Sequence, residues 1–270
     1  IPCPPGNRKE VSMSDEIKSA GFQVGDGIII TGAAQGLGRG IALRMAQSAA
    51  KLALWDIQEE GLKETAALCR VAGAETVRLD TVDVSDETIV EAAAISVIND
   101  WGSIFGLVNN AGIFPRSTVL GMELELWEKV LRINLTGYFL CARAAGRNMV
   151  DNNRGAIVNI SSGRALVPRE RAVHYGVSKA GIIALTKGLA KEWATNNVRV
   201  NSIMPGVAET AQPLEDTTLE ELRSRGSRVP LGRIGQPADI ASVAHFLLSA
   251  DATYMTGQSL GVNGGAHMTA

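Results

Sequence analysis

The chain has 270 residues, of which 46% are hydrophobic and 20% charged; this is ordinary for a folded domain and excludes a disordered or fibrous protein. Its formal charge of -2 excludes a basic field that would recruit nucleic acid or an anionic membrane surface, so we expect a small-molecule partner. Three widely spaced cysteines, Cys3, Cys69 and Cys141, predict neither a disulfide framework nor a metal site and favour a cytoplasmic location.

Residues 1–24 are predicted to form an N-terminal tail, because they carry proline and charge but no apolar run typical of a signal peptide. The apolar runs further on are much shorter than the roughly 20 residues that a helix needs to cross a bilayer, so no membrane span is expected. No repeat or flexible linker divides residues 25–270, which predicts one domain.

Seven short runs rich in β-branched and aliphatic residues predict strands at 27–31, 52–55, 76–82, 105–108, 156–160, 198–203 and 259–262. Segments with helical periodicity lie between them, at 37–49, 59–72, 86–100, 123–150, 176–195 and 237–249. This alternation predicts an α/β fold, a doubly wound seven-stranded parallel sheet of the Rossmann type with helices on both faces. The polar segment 207–235 interrupts the rhythm and is expected to be a lid or a plain surface excursion.

A glycine-rich turn, TGAAQGLGRG, follows the first predicted strand directly. Gly32, Gly36 and Gly38 would let the backbone turn tightly and approach a pyrophosphate, whose charge the start of the next helix favours. Taken alone, the pattern is equally typical of a simple tight turn.

An acidic residue ends the second predicted strand. Asp56 lies 24 residues after the first glycine of the loop, near the spacing at which a carboxylate accepts hydrogen bonds from a ribose and repels a 2′-phosphate. Gln35 and Ile57 stand where a phosphate-binding cation would be expected, so NAD is favoured over NADP. Arg39 and Arg78 are nearby cations that leave NADP open.

Tyr175 and Lys179 lie four positions apart at the start of a predicted helix and therefore share one face. Such a pair is commonly an exposed contact. It can also be a phenol whose proton is controlled by an ammonium group, and the pair alone does not decide between these interpretations.

From about Gly25 to Gly265 the sequence resembles the short-chain dehydrogenase/reductase family. The landmarks occur in the family's order: TGAAQGLG at 31–38, Asp56, DV at 83–84, NNAG at 109–112, Asn134, NISS at 159–162, YGVSK at 175–179, PG at 205–206 and VNGG at 262–265. The resemblance implies a cofactor site made of Gly32, Gln35, Gly36, Leu37, Gly38, Asp56, Ile57, Asp83, Val84, Asn110, Ala111, Gly112, Tyr175, Lys179, Pro205, Gly206, Ala208 and Thr210. No metal is implied.

The resemblance also implies a catalytic set. The family places its serine thirteen residues before the tyrosine, which selects Ser162 over Ser161. Tyr175 would exchange a proton with substrate, Ser162 would donate to the substrate oxygen, and Asn134 would anchor a proton-relay water. Lys179 and the positive nicotinamide ring are expected to lower the pKa of Tyr175.

These features together predict an oxidoreductase that transfers a hydride between NAD(H) and a secondary alcohol or ketone. An NADPH-dependent 3-oxoacyl reductase is the alternative, because it shares every catalytic landmark, and a non-catalytic NAD-binding sensor is a second one. The resemblance implies a homotetramer built through the helices at 123–150 and 176–195. The substrate pocket is expected near Phe114, Arg116, Arg164 and His174.

Overall fold

The computed structural model describes residues 21–209 and 218–268. Residues 1–20 of the predicted tail and residues 210–217 of the predicted lid, including Thr210, lie outside the described residues.

One parallel sheet forms the centre of the molecule. Its strands are β1 (Gly27–Thr31), β2 (Lys51–Asp56), β3 (Thr76–Thr81), β4 (Gly106–Asn109), β5 (Gly155–Ile160), β6 (Val198–Pro205) and β7 (Ser259–Val262). They are ordered β3-β2-β1-β4-β5-β6-β7, and each neighbouring pair is parallel. The predicted doubly wound seven-stranded α/β fold is therefore confirmed.

Helices cover both faces of the sheet. They are α1 (Gly36–Ala46), α2 (Glu59–Ala72), α3 (Glu87–Trp101), α4 (Leu124–Leu131), α5 (Gly137–Asp151), α6 (Val173–Trp193), α7 (Leu219–Ser224) and α8 (Pro237–Leu248). None of these helices, among the residues described, is both long enough and apolar enough to span a bilayer.

The strands read as continuous apolar runs because both faces of the sheet are buried. In β1, Ile28 and Ile30 pack into the core layer beneath α1 and α8, whereas Ile29 packs into the opposite layer with α3 and α5. All three side chains are fully buried. Alternate residues of one strand thus fill two different cores. The strand therefore lacks the alternating polar residues that are typical of a strand with one face exposed.

The chain departs from prediction where one helix was expected over 123–150. There α4 and α5 are joined by a π-helical turn, Arg132–Thr136, which contains the buried Asn134. A π turn adds a residue to the helical repeat and redirects the side chains around it, and such turns are frequent at functional sites.

The strand order reverses between β1 and β4, because the chain winds outward to β3 on one side and to β7 on the other. In open α/β sheets, ligands bind in the crevice at the carboxyl ends of the strands beside this reversal. Thr31 and Asn109 end the two central strands there.

The segment 207–235 is closed at its base. Ala208 and Gly235 form a parallel bridge in which the amide of Gly235 donates to Val207 O at 2.9 Å and the amide of Glu209 donates to Gly235 O at 2.9 Å. Glu209 also accepts from the guanidinium of Arg223, which lies in the last turn of the short helix α7, at 2.8 Å. The two stems of the predicted lid therefore lie side by side at the edge of the crevice.

Candidate active site

The loop between β1 and α1 has the geometry of a phosphate cradle. Gly32 and Gly36 adopt φ values of +65° and +56°, which favour glycine. A Cβ on Gly38 would lie 2.0 Å from Gly32 O, so the loop and the helix can pack this closely only without a side chain there. Gln35 precedes α1, and its side chain does not cap the helix. The first backbone amides of α1 therefore remain available to an anion.

Asn110 fastens this loop to the end of β4. Its side-chain amide donates to Thr31 O at 3.0 Å and to Gly32 O at 3.1 Å. The hydroxyl of Thr31 accepts from the amides of Asn110 and Ala111, at 2.9 and 3.1 Å. Thr31 was not predicted as a site residue, although it opens the glycine motif. The two central strands are thus joined at the floor of the crevice.

Asp56 lies at the end of β2 and faces the same loop. Its Oδ2 accepts from the amide of Ala34 at 3.0 Å, and its Oδ1 accepts from the amide of Gln58 at 3.0 Å. Both bonds hold the carboxylate in place, and each oxygen has a further lone pair with which it can accept from a ribose hydroxyl. The neighbouring Ile57 side chain is largely exposed.

The two arginines that left NADP open are already engaged by the protein. Arg39 donates to Ala34 O at 2.6 Å, to the Thr65 hydroxyl at 2.9 Å and to the Glu64 carboxylate at 2.8 Å. Arg78 makes ion pairs with Asp80 and Asp100. These contacts hold Arg39 against one carboxylate and Arg78 against two.

Further along the crevice, Asp83 is exposed and accepts from the amide and hydroxyl of Ser85 at 2.9 and 2.7 Å, whereas Val84 is buried against Gly137. Asp83 and Val84 follow β3, so they stand at the side of the crevice that Asp56 also borders.

At the other end of the crevice, Pro205 ends β6 and Gly206 donates its amide to Val262 O at 3.0 Å. Ala208 follows in the stem of the segment 207–235. Together these contacts place the PG motif at the carboxyl end of β6, beside β7.

Tyr175 lies in the first turn of α6 and is half-buried. Its ring packs against Phe114 with centroids 4.3 Å apart, and the guanidinium carbon of Arg116 lies 5.8 Å from the centre of the Phe114 ring. Burial raises the pKa of the Tyr175 phenol above its usual value, while a hydrogen bond with Ser162 and the charge of Arg164 act to lower it.

The predicted lowering of the Tyr175 pKa is therefore not produced by the chain's own groups. Desolvation disfavours the phenolate more strongly than the nearby hydroxyl and guanidinium favour it.

The structure separates the two candidate serines. The hydroxyl of Ser161 is buried and donates to Lys179 O at 2.8 Å, so it fastens β5 to α6. Ser162 is partly exposed; its Oγ accepts from the amide of Arg164 at 3.1 Å and interacts with the Tyr175 phenol. Of the pair, Ser162 is the one that faces Tyr175.

Lys179 is almost fully buried one turn beyond Tyr175, and its Nζ lies 5.6 Å from the centre of the Tyr175 ring. The ammonium donates to Ile160 O at 2.8 Å and to the hydroxyl of Tyr138 at 3.4 Å. Burial lowers its pKa from 10.5 to about 7. At neutral pH this lysine therefore exchanges between charged and neutral forms.

Asn134 is held by the backbone of Ile113. Its Oδ1 accepts from the Ile113 amide at 2.8 Å, and its Nδ2 donates to the Ile113 carbonyl at 2.9 Å. A Cβ on Gly112 would lie 3.2 Å from Oδ1 of Asn134 and 3.8 Å from Nζ of Lys179. Asn134 thus shapes the loop that lies between the crevice and Lys179.

A cavity of about 380 Å³ extends from the phosphate loop across the loop after β4 to α4. It is lined by Gln35, Gln58, Gly112, Ile113, Phe114, Pro115, Leu126 and Lys129. His174, beside Tyr175, is fully buried and packs near Pro115, and burial lowers its pKa. Within 21–209 and 218–268, no three metal-ligating side chains cluster.

The fold and this crevice define a dinucleotide-binding domain with a serine, a tyrosine and a lysine gathered at one end. A family model described as enoyl-(acyl carrier protein) reductase matches residues 32–267. The chain belongs to the short-chain dehydrogenase/reductase family.

The chain is similar to several members of that family along nearly their whole length. It is 37% identical to a 3-oxoacyl-(acyl-carrier-protein) reductase from Thermotoga maritima, covering 88% of this chain and 96% of the relative. It is 36% identical to 2-(S)-hydroxypropyl-CoM dehydrogenase 3 from Xanthobacter autotrophicus, with 88% and 95% covered.

Two solved structures have the same fold. Levodione reductase superimposes with a TM-score of 0.87 at 31% identity, with 90% of this chain and 98% of that chain covered. A short-chain type dehydrogenase/reductase from Mycobacterium marinum gives a TM-score of 0.86 at 31% identity, with 94% and 100% covered.

Proposed function

We propose that the chain is an NAD-dependent oxidoreductase that interconverts a secondary alcohol and its ketone. The observation that carries this proposal is the convergence of Ser162 and Lys179 on Tyr175 at the end of a crevice that begins at the glycine-rich loop. A bound nicotinamide would exchange the hydride with the substrate carbon and, when oxidised, bring positive charge into the site. The residues of the chain would manage the proton and the substrate oxygen.

Each catalytic side chain has a task that its surroundings suit. In ketone reduction, Tyr175 donates its phenolic proton to the substrate oxygen, and the raised pKa keeps that proton in place until transfer. Ser162 donates a hydrogen bond to the same oxygen as negative charge develops on it. In alcohol oxidation the phenolate accepts the hydroxyl proton, and the charge of Lys179 and of the oxidised ring favours that form.

The preference for NAD rests on Asp56 and on the engagement of the neighbouring cations. The carboxylate is oriented by Ala34 and Gln58 beside the loop, where it would accept from ribose hydroxyls and repel a 2′-phosphate. Arg39 and Arg78 are paired with carboxylates of the chain, so a 2′-phosphate would have to compete with Glu64 and Asp80 for them.

The test is a panel of secondary alcohols and hydroxyacids assayed for NADH formation, with the matching ketones assayed in reverse. Tyr175→Phe should abolish turnover, and Ser162→Ala should reduce it by about a hundredfold or more. Ser161→Ala and Tyr254→Phe are matched controls, since the Ser161 hydroxyl donates to the backbone carbonyl of Lys179 and Tyr254 is fully exposed. Undiminished turnover in Tyr175→Phe would refute the mechanism, and failure of the whole panel would favour a non-catalytic NAD-binding protein.

A 3-oxoacyl reductase is the second candidate, and the name of the Thermotoga relative favours it. Acetoacetyl-CoA reduced with NADPH at a higher kcat/KM than with NADH would establish this alternative and contradict the role assigned to Asp56. Preference for NADH with that thioester would keep the cofactor proposal and assign the chain an acyl substrate.

We further propose that the chain forms a homotetramer through α4, α5 and α6. Leu124, Phe139 and Val177 are large apolar side chains left exposed on these helices. Multi-angle light scattering should report four subunits, and a monomer would exclude the arrangement.

A cytoplasmic location is proposed on the state of the thiols. Cys69 and Cys141 are free and buried, and burial raises their pKa values to about 11 and about 12. Such thiols are protonated and unreactive at neutral pH. Fractionation of the producing cells tests the location.

A further inference from the structure

We propose that Tyr138 is a positioning residue for Lys179: its hydroxyl holds the lysine side chain against the end of β5 and keeps the ammonium beside Tyr175. The proposal rests on the proposed function, because it assigns a residue to the same proton-transfer site. It goes beyond the predicted set of Asn134, Ser162, Tyr175 and Lys179.

The geometry is a closed triangle of hydrogen bonds. Tyr138 donates its hydroxyl proton to Ile160 O at 3.0 Å, and Lys179 donates to the same carbonyl at 2.8 Å. Lys179 also donates to the Tyr138 hydroxyl at 3.4 Å. The phenol oxygen is therefore both donor and acceptor, which fixes the direction of its proton and leaves a lone pair aimed at the ammonium.

The same ammonium lies close to two tyrosine rings. Its Nζ is 5.1 Å from the centre of the Tyr138 ring and 5.6 Å from that of the Tyr175 ring. Both distances are within the range of cation–π attraction, so the rings favour the charged form on both sides. Removing the Tyr138 hydroxyl takes away one of the ammonium's two hydrogen bonds, together with the bond from Tyr138 to Ile160 O, but keeps the ring.

Tyr138 itself does not exchange a proton in the working range. Its side chain is fully buried, and burial together with neighbouring Tyr175 and Cys141 raises its pKa well above the usual value. It remains a neutral phenol, whereas Tyr175 opens towards the crevice and interacts with Ser162 and Arg164. The two phenols have different tasks because their burial differs.

Tyr138 is also held rigidly from the backbone side. Its carbonyl accepts from Nδ2 of Asn109 at 3.2 Å, and Asn109 donates to Asn159 at 3.0 Å. Asn159 in turn donates to the Thr186 hydroxyl at 3.0 Å. This row of buried amides joins α5 to β4, β5 and α6, and it holds the backbone from which the Tyr138 side chain extends.

The charged and titratable groups around Lys179 are few. Those that face it or its two phenol neighbours are Tyr138 and Cys141 on α5, Tyr175 on α6 and Arg164 after β5. Among the described residues, no carboxylate forms an ion pair with Lys179. Hydrogen bonds to oxygen are therefore what the protein offers the ammonium, and Tyr138 provides one of two.

The test compares Tyr138→Phe with Thr186→Val, which also removes a buried hydroxyl from the row but does not touch Lys179. Urea-induced unfolding is measured between about pH 6 and about pH 10 for each protein and for the same protein carrying Lys179→Met. The difference in unfolding free energy within each pair, followed against pH, gives the pH at which Lys179 titrates in the folded state. Tyr138→Phe should lower the midpoint of the Lys179 titration by about half a pH unit or more, because a hydrogen-bond acceptor of the ammonium is lost. Thr186→Val should lower overall stability and leave the midpoint of the Lys179 titration unchanged.

Kinetics with the fastest substrate of the alcohol panel give a second readout. Tyr138→Phe should reduce kcat by roughly tenfold and shift the pH profile in the same direction as the lysine midpoint, with the KM for NAD changed by less than about threefold. An unchanged midpoint in Tyr138→Phe, or equal effects of both variants, overturns the proposal. Because the unfolding readout needs no substrate, failure of the proposed function, seen as undiminished turnover in Tyr175→Phe, remains a separate result.

Discussion

Replacing Lys179 with methionine should make the protein more stable while it removes activity. The side chain is 4% exposed, and its pKa is lowered from 10.5 to about 7 by burial. At about 1.4 kcal/mol for each pH unit, this displacement corresponds to about 5 kcal/mol spent on holding an ammonium in the site. Methionine has a similar length and no charge, so Lys179→Met relieves that penalty.

The gain should be smaller than this full value. The ammonium loses its bonds to Ile160 O and Tyr138, and the site relaxes around the charge it normally holds. Ile160 O keeps the hydrogen bond from Tyr138, so the substitution orphans no carbonyl. We expect a net gain of about 2 kcal/mol at neutral pH, which is a rise in Tm of roughly 4–8 °C for a chain of this size.

The dependence on pH identifies the cause. A lysine whose pKa is lowered by folding binds fewer protons in the folded state between about pH 7 and about pH 10.5, so wild-type stability rises with pH across that window. Below about pH 7 both states are protonated and the penalty is complete. The advantage of Lys179→Met should therefore be largest at about pH 6 and fade towards about pH 10.

Urea-induced unfolding at matched protein concentration measures the difference. Lys187→Met is the control, because Lys187 is exposed two turns further along α6 and its replacement should change stability little at any pH. A less stable Lys179→Met at about pH 6, or a difference that does not vary with pH, would refute the assignment of the penalty to a buried charge.

Three further substitutions test the crevice. Asp56→Ser should raise the KM for NAD by about tenfold or more and improve use of NADP, since a charge-assisted acceptor worth about 1.5–3 kcal/mol is lost; an unchanged ratio of initial rates would contradict it. Gly38→Ala places a Cβ 2.0 Å from Gly32 O, so NADH binding, followed by fluorescence, and Tm should both fall; retention of both would show that the loop can open. Asn134→Ala leaves the Ile113 amide and carbonyl without partners and should cost about 1–3 kcal/mol in urea unfolding as well as activity; full stability would mean that water replaces the amide.

Much of the fold could be predicted because the signals are local and repeated. A strand buried on both faces reads as an apolar run, and β1 shows this with three consecutive isoleucines that fill two cores. The break of the helix over 123–150 could not be predicted. Its cause is a tertiary contact: Asn134 lies inside the protein and is hydrogen-bonded to the backbone of Ile113. The hydrophobic periodicity of the sequence does not indicate such a contact.

The candidate site divides in the same way. The order of the motifs along the chain predicted that Ser162, Tyr175 and Lys179 share one site. In the structure Ser161 donates to the α6 backbone instead. Tyr138 was missed, because it reads as one more large side chain on an apolar helix face. Only the packing of α5 against the end of β5 shows its hydroxyl beside Lys179. The Tyr175 pKa was predicted to be lowered by Lys179 and the oxidised nicotinamide ring; among the chain's own groups, burial raises that pKa more strongly than Ser162 and Arg164 lower it.

The unfavourable features of this molecule lie together at the carboxyl edge of the sheet. A π turn interrupts the helix at Asn134, and Lys179 carries a buried charge. Each of these departs from what stability alone would favour. A scaffold buried on both faces can tolerate such costs at one edge, because the strands that end there are held along their whole length by neighbours. A methionine in the place of Lys179 would avoid the buried charge; the ammonium at this position is therefore one of the features on which the proposal of proton transfer rests.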